Sequence, residues 1–312
     1  MKTLVLALSV LLLSFAQAPP QKGKSEPARA PSSDQIIRLD VTRVPVLFTV
    51  ADKKGNFVTN LTKDEFEVIE NKKPQTILDF KGESDLPLRL AVVIDTGNSI
   101  RERFTFQQEA ATEFIETILR PVLDKAAVVN TSAELVADMT NDIGKLNASI
   151  RALRPGGGAA LYDAIYFACK EKLQDQPPER FRRALVILSD GGDNQSRYTR
   201  EQALEMAQKS DVVIYTISTN NSGQGNDGDK ILRYFAQETG GQVFFPFKAS
   251  DLAQSFANIA NELRHQYILV YRPEPFKADG LYHTLDIRVK LRKDLAVRAR
   301  HGYYAPLAQD VR

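Results

Sequence analysis

The chain has 312 residues, 43% of them hydrophobic, and its 41 basic and 39 acidic side chains leave a net charge of only +2. A chain of that length and apolar content buries one large core or two modest ones, which excludes a disordered or fibrous protein. The near-neutral balance gives no electrostatic reason to expect nucleic acid, and a single cysteine, Cys169, excludes an internal disulfide framework and any cysteine-rich metal site.

Lys2 precedes the uncharged apolar run Leu4 to Phe15, which ends in the small residues Ala16 and Ala18. This is the pattern of a secretory signal peptide over residues 1–18, cleaved after Ala18 or, because Pro19 fits a peptidase site poorly, after Ala16. The run is too short to span a bilayer. The expectation is an exported protein, periplasmic or secreted, with no membrane span in the mature chain. Residues 19–35, rich in Pro, Lys, Ser and Ala without apolar periodicity, read as a flexible linker.

From 36 to 82 the pattern has period two. Val44, Val46, Phe48 and Val50 share one face before a turn at Lys54-Gly55-Asn56, and short runs follow around Phe66 to Val68 and Ile77 to Phe80. The period changes over residues 85–265. Apolar strand runs at Leu88 to Ile94, Ala126 to Val129, Ala184 to Leu188, Val212 to Ile217 and Val243 to Phe245 alternate with amphipathic helices. Ser99 is placed to cap the first of these helices, Thr199 and Gln202 form a capping box for another, and Gly240-Gly241 ends the next. Cys169 shares a helical face with Leu161, Ile165 and Ala168 and reads as a small buried apolar group. Such alternation predicts a doubly wound α/β domain with a mainly parallel sheet, whose ligands meet the loops at the strand carboxyl ends. Period two returns over 266–306. Neither β segment has enough apolar surface alone, so the two are expected to pair as one split β sandwich.

Three loops carry the chemistry. Asp95-Thr96-Gly97-Asn98-Ser99 follows the first core strand, Gly156-Gly157-Gly158-Ala159 leads into a helix, and Ser189-Asp190-Gly191 ends another strand. In that order the set resembles the von Willebrand factor A (VWA) family and its metal-ion-dependent adhesion site, built from D-x-S-x-S, a Thr in a G-G-x-T-like loop and an Asp in an S-D-G-like loop. With Asp64, Phe66, Glu70 and Asn71 upstream and Arg264, Gln266, Tyr267 and Tyr271 downstream, the chain looks like the exported VWA-related proteins of acidobacterial type.

Carried over by position, the resemblance implies Asp95, Ser99 and Asp190 as metal ligands. Gly97 and Ala159 stand where the family has hydroxyl residues. The site is therefore degenerate: either a weak site for Mg²⁺ or another divalent cation, or carboxylates that only hold backbone N–H groups at helix N-termini. The resemblance also implies a non-enzymatic module that binds a protein or peptide. The docking loops are expected to include Gly97, Gly157, Gly158, Ala159, Asp193, Asn226 and Asp227, with Gly158 and Asn226 outside the packed core. The alternative is a hydrolase using Asp95 and Asp190 at the top of the sheet. Against it, His265, His283 and His301 all lie in the late β segment, and no H-E-x-x-H, G-x-S-x-G or phosphate-loop motif occurs.

Overall fold

The computed structural model describes residues 43–82, 86–174, 181–220, 225–246 and 249–308. The expected signal peptide, the linker and the start of the early β segment lie outside them.

Four strands come first: β1 (Val44–Asp52), β2 (Phe66–Glu70), β3 (Lys73–Gln75) and β4 (Ile77–Lys81). The α/β region follows with β5 (Leu88–Ile94), α1 (Phe104–Ile118), β6 (Lys125–Asn130), β7 (Leu135–Thr140), α2 (Ile143–Ala152), α3 (Leu161–Phe167), β8 (Arg182–Ser189), α4 (Arg200–Lys209), β9 (Val213–Ser218), α5 (Asp227–Thr239), β10 (Val243–Phe244) and α6 (Ala249–Arg264). The chain closes with β11 (Tyr267–Tyr271), β12 (Tyr282–Val289), β13 (Leu295–Ala299) and β14 (Gly302–Tyr304).

The central sheet has the order β10-β9-β8-β5-β6-β7, parallel except for the antiparallel β6–β7 pair. Because side chains alternate across a strand, β5 serves two cores at once. Leu90, Val92 and Ile94 pack with residues of α1, α2 and α6, whereas Ala91 and Val93 pack with α3, α4 and α5. That explains the nearly uninterrupted apolar run read from the sequence. Truncating one of these fully buried side chains, such as Leu90→Ala, should cost about 2–5 kcal/mol. Cys169 is fully buried on the α3 side, and burial pushes its thiol well above the ordinary value.

The flanking segments form two antiparallel four-stranded sheets, ordered β13-β1-β11-β4 and β14-β12-β2-β3. Each sheet mixes early and late strands: Phe48 opposes both Tyr267 and Ala299, and Val68 opposes Ile287. Their inner faces share a core in which the Phe48 ring meets Phe66 edge-on at 5.1 Å and stacks on Tyr267 at 5.3 Å. The fold is thus a doubly wound α/β unit with a sandwich built from both ends of the described chain. Charged pairs join the two parts: Arg298 Nη1 donates to Glu262 Oε2 of α6 at 2.7 Å, and Arg300 pairs with Asp211.

Two local expectations need correction. Strand β7 escaped the sequence reading because only part of it is buried and its pairing with β6 is irregular. Ser99 does not cap α1: residues Asn98–Arg103 form a 3-10 turn with Gly97 at its N-cap, and α1 begins at Phe104. The Thr199–Gln202 capping box is present as read, and Gly240 closes α5 at φ +85°.

Candidate functional site

Strands β5 and β8 run in register, so their carboxyl ends bring Asp95 and Ser189 together. The Ser189 hydroxyl donates to Asp95 Oδ2 at 2.6 Å, while Oδ1 accepts from the Gly97 amide at 2.8 Å and the Thr131 hydroxyl at 3.0 Å. All of Asp95, Ser189 and Thr131 are inaccessible to solvent. Burial raises the Asp95 carboxyl above its ordinary value, and the charge of Asp190 raises it further, against the hydrogen bonds from Ser189, Gly97 and Thr131.

Thr131 is the residue the sequence reading missed. It follows β6, and its hydroxyl also accepts from the Thr96 amide at 3.0 Å while its carbonyl accepts from Ala160 N. The only signal was a hydroxyl residue just past an apolar strand. Gly156 N donates to Thr96 O and Asn98 N to Gly157 O, which ties the glycine loop to the Asp95 loop.

Asp193 belongs to the helix start rather than to an open face. Its Oδ2 accepts from the amide of Tyr162, in the first turn of α3, at 2.9 Å and from the Ser196 hydroxyl at 2.5 Å. Asp163, 6% exposed, in turn accepts the amides of Arg197 and Tyr198. Ala159 is held by Asn194, whose side chain accepts from Ala159 N at 3.0 Å and whose amide donates to Ala159 O. Gly158 is not free either: a Cβ there would lie 2.5 Å from the Gln195 side chain and 2.6 Å from Asn194 Oδ1.

The fourth loop is anchored by Asp229, 1% exposed, which accepts from the Ser218 hydroxyl at 2.7 Å, Asn220 Nδ2 at 2.8 Å and Gly225 N at 3.1 Å. Asn226 caps α5 by accepting from Asp229 N at 2.7 Å, whereas Asp227 is exposed and paired with Lys230. Residues 221–224 lie outside the described part of this loop. Asn226 therefore supports the start of α5, whereas a side chain at Gly158 would meet only the movable ends of the exposed Gln195 and Asn194.

Only some of the expected metal positions converge. Gly97 lies beside Ser99 Oγ, Ala159 Cβ and Asp95 Oδ1, at 3.7, 3.7 and 3.1 Å from where its own Cβ would stand. Gly97 and Ala159 offer no side-chain oxygen, and both oxygens of Asp95 already accept hydrogen bonds. Asp190 Oδ1 accepts from Gly192 N at 2.8 Å. Among the described residues this leaves Ser99 Oγ and the second oxygen of Asp190 without a protein partner. Mg²⁺ demands a near-octahedral set of hard oxygens, and this donor set does not fit it. No group of three or more His, Cys, Asp or Glu among the described residues could hold a metal ion.

The model of the von Willebrand factor type A domain matches residues 90–262, more than half of the chain and nearly the whole α/β region. The chain belongs to the VWA family. Among solved structures, this VWA domain is similar to the vWF domain of the type V pili tip protein Mfa5 from Porphyromonas gingivalis, at 15% identity and a TM-score of 0.47, over 56% of this chain and 94% of that one. It is similar to BatB from Bacteroides thetaiotaomicron at 12% identity and a TM-score of 0.45, over 56% of this chain and 98% of that one. The PilB minor pilin from Streptococcus sanguinis matches at 13% identity and a TM-score of 0.47, over 58% of this chain, which spans only 62% of that pilin. No curated protein matches. No described helix is long and apolar enough to cross a membrane.

Proposed function

We propose that this VWA domain is an exported, non-enzymatic docking module that binds a protein or peptide on the loop face at the strand carboxyl ends, and that it does so without depending on a metal. Membership of a family of protein-interaction domains supports the docking role. The observation that carries the metal independence is the absence of a side-chain oxygen at Gly97 and Ala159, beside a fully buried Asp95 whose two oxygens already accept from Ser189, Gly97 and Thr131. The same three donors speak against Asp95 as a hydrolytic nucleophile or base, because a sealed carboxylate reaches no substrate atom. The histidines hydrogen-bond or pair elsewhere: His283 to Glu70 and Asp279, His265 to the Asn261 carbonyl, His301 with Glu238. Export rests on the N-terminal apolar run alone.

Among the described residues the face open to a partner includes the exposed Asn98, Ser99, Gly157, Asn194, Gln195 and Asp227 around the half-buried Asp190. A photo-crosslinking residue at Ser99 should capture the partner from an envelope extract equally with Mg²⁺ and with EDTA. The same residue at Val122, which is 79% exposed in the loop leading into β6 at the opposite end of the sheet, should capture none of it. Capture that needs Mg²⁺, or equal capture from both ends, overturns this reading.

A further inference from the structure

We propose that the groove between the VWA domain and the sandwich is a second docking site, which takes an acidic, extended peptide by strand addition to the free edge of β13. The groove has a volume of about 620 Å³ and is lined by β10, β12, β13 and the α5 side chains Arg233 and Gln237. That is the size of an established ligand cleft.

Two strands turn unpaired backbone into it. On β1, the Val50 carbonyl accepts from Val58 N and Asp52 N donates to Asn56 O, so these even-numbered residues face away from β13. Thr49 and Ala51 consequently bond to their register partners Arg298 and Ala296, and the amide and carbonyl of Val297, one residue out of phase, point outward from an edge strand. On β12, Thr284 exchanges hydrogen bonds with Asn71 on the β2 side, and Leu285 N donates to His301 O on the other side. The strand β14 ends its register at Thr284, so Ile287 presents its amide and carbonyl on the same open side. An unpaired edge of this kind is a template for a further strand.

Charge identifies the occupant. The lining carries Arg233, Arg298 and Arg300 with one acidic residue, Asp286, and of the three arginines Arg298 and Arg300 are paired with Glu262 and Asp211. Asp286 is already paired with Arg288 at 2.6 Å. Among the described residues Arg233 has no acidic partner; its guanidinium lies over the Phe245 ring, 5.1 Å from the centroid. Arg298 uses Nη1 for both Gln242 and Glu262, and among the described residues its other guanidinium nitrogens have no acceptor. Carboxylates on alternate residues of an added strand would meet this side of the groove, while the intervening side chains would lie toward the apolar Val243 and Val297.

The probe is a fluorescein-labelled heptapeptide of alternating Glu and Val, titrated against the mature chain and followed by anisotropy. It should bind at least tenfold more tightly than its Lys/Val counterpart. Arg233→Glu should weaken it about tenfold and Asp286→Lys should strengthen it, with the urea midpoint of each variant measured alongside to confirm that the fold is kept. N-methylation of the peptide on one edge should abolish binding, because strand addition needs the amides. Equal affinity for both peptides, or a binding curve untouched by Arg233→Glu or by N-methylation, overturns the proposal. Binding that appears only after residues 19–42 are removed also overturns it, since the groove would then belong to the chain's own N-terminal segment.

Discussion

Asp95 is held from the end of the neighbouring strand by Ser189, whose hydroxyl donates to its Oδ2 at 2.6 Å. The pair closes the seam between β5 and β8 at the point where the family places its metal-linked loops. Among the described residues the buried Asp95 carboxylate meets neutral donors and the like charge of Asp190, and its pH behaviour follows from that.

Burial raises the Asp95 carboxyl above the ordinary value of 3.8. A raised native value means the folded state holds the proton more tightly than the unfolded chain. The contribution is therefore fully favourable below 3.8 and is lost as pH rises through the raised native value. Asp95→Asn keeps an acceptor for Gly97 and Thr131 and a donor for Ser189, and it removes the charge. Its urea midpoint should exceed that of the parent at pH 8, with the gap closing toward pH 4. A gap independent of pH would show that the charge is compensated.

Mg²⁺ should change neither the urea midpoint nor the heat signal of the parent chain at millimolar concentration, because two hydroxyl positions are absent. Gly97 sits at φ −60°, an ordinary conformation for serine, although a Cβ there stands 3.1 Å from Asp95 Oδ1 and requires a small adjustment. The double variant Gly97→Ser and Ala159→Thr should bind Mg²⁺ at least tenfold more tightly in calorimetry. Micromolar binding by the parent would show that the loops hold the ion without the two hydroxyls.

How much was legible beforehand follows from what sequence periodicity can encode. The two-sided burial of β5 and the period-two flanks showed in the residues themselves, because burial on one or both faces dictates apolar spacing. The loop set at Asp95, Gly156 and Ser189 was readable as a resemblance. What stayed hidden were hydrogen bonds over long sequence distances: Thr131 to Asp95, Asn194 to Ala159, and Asn220 to Asp190. Polar loop residues of this kind have no period, so their partners appear only in three dimensions. The same reason makes Asn226 look like slack in sequence and a helix cap in the fold.

Inside the sandwich, Glu70 is 4% exposed and its Oε1 lies 2.6 Å from His283 Nδ1, with Tyr271 donating to Oε2 at 2.8 Å. Burial, together with the neighbouring Glu70 and Tyr303, raises the Tyr271 hydroxyl far above its ordinary value, so it stays a donor at every working pH. His283→Ala removes one of three partners of the buried Glu70 carboxylate, leaving the hydroxyls of Tyr271 and Tyr303, and should destabilise the fold by about 1–3 kcal/mol. Asp279→Ala, which removes only the exposed partner of the same ring at 3.2 Å, should cost much less. Chemical denaturation of the two variants side by side checks the ranking, and equal losses would place the weight of the network outside the core.

Scaffold and contact residues on the loop face should separate in one experiment. Asp229 accepts three hydrogen bonds while 1% exposed, so Asp229→Ala leaves Ser218, Asn220 and Gly225 to find other acceptors and should cost about 2 kcal/mol. Partner capture would fall with it, through disorder of the loop. Ser99 is exposed and its hydroxyl has no described partner, so Ser99→Lys should leave the urea midpoint within about 0.5 kcal/mol of the parent. It should nevertheless reduce capture at least tenfold, because a long cation then stands in the middle of the face. Loss of capture in Asp229→Ala alone, with Ser99→Lys behaving as the parent, would move the contact surface away from the strand carboxyl ends.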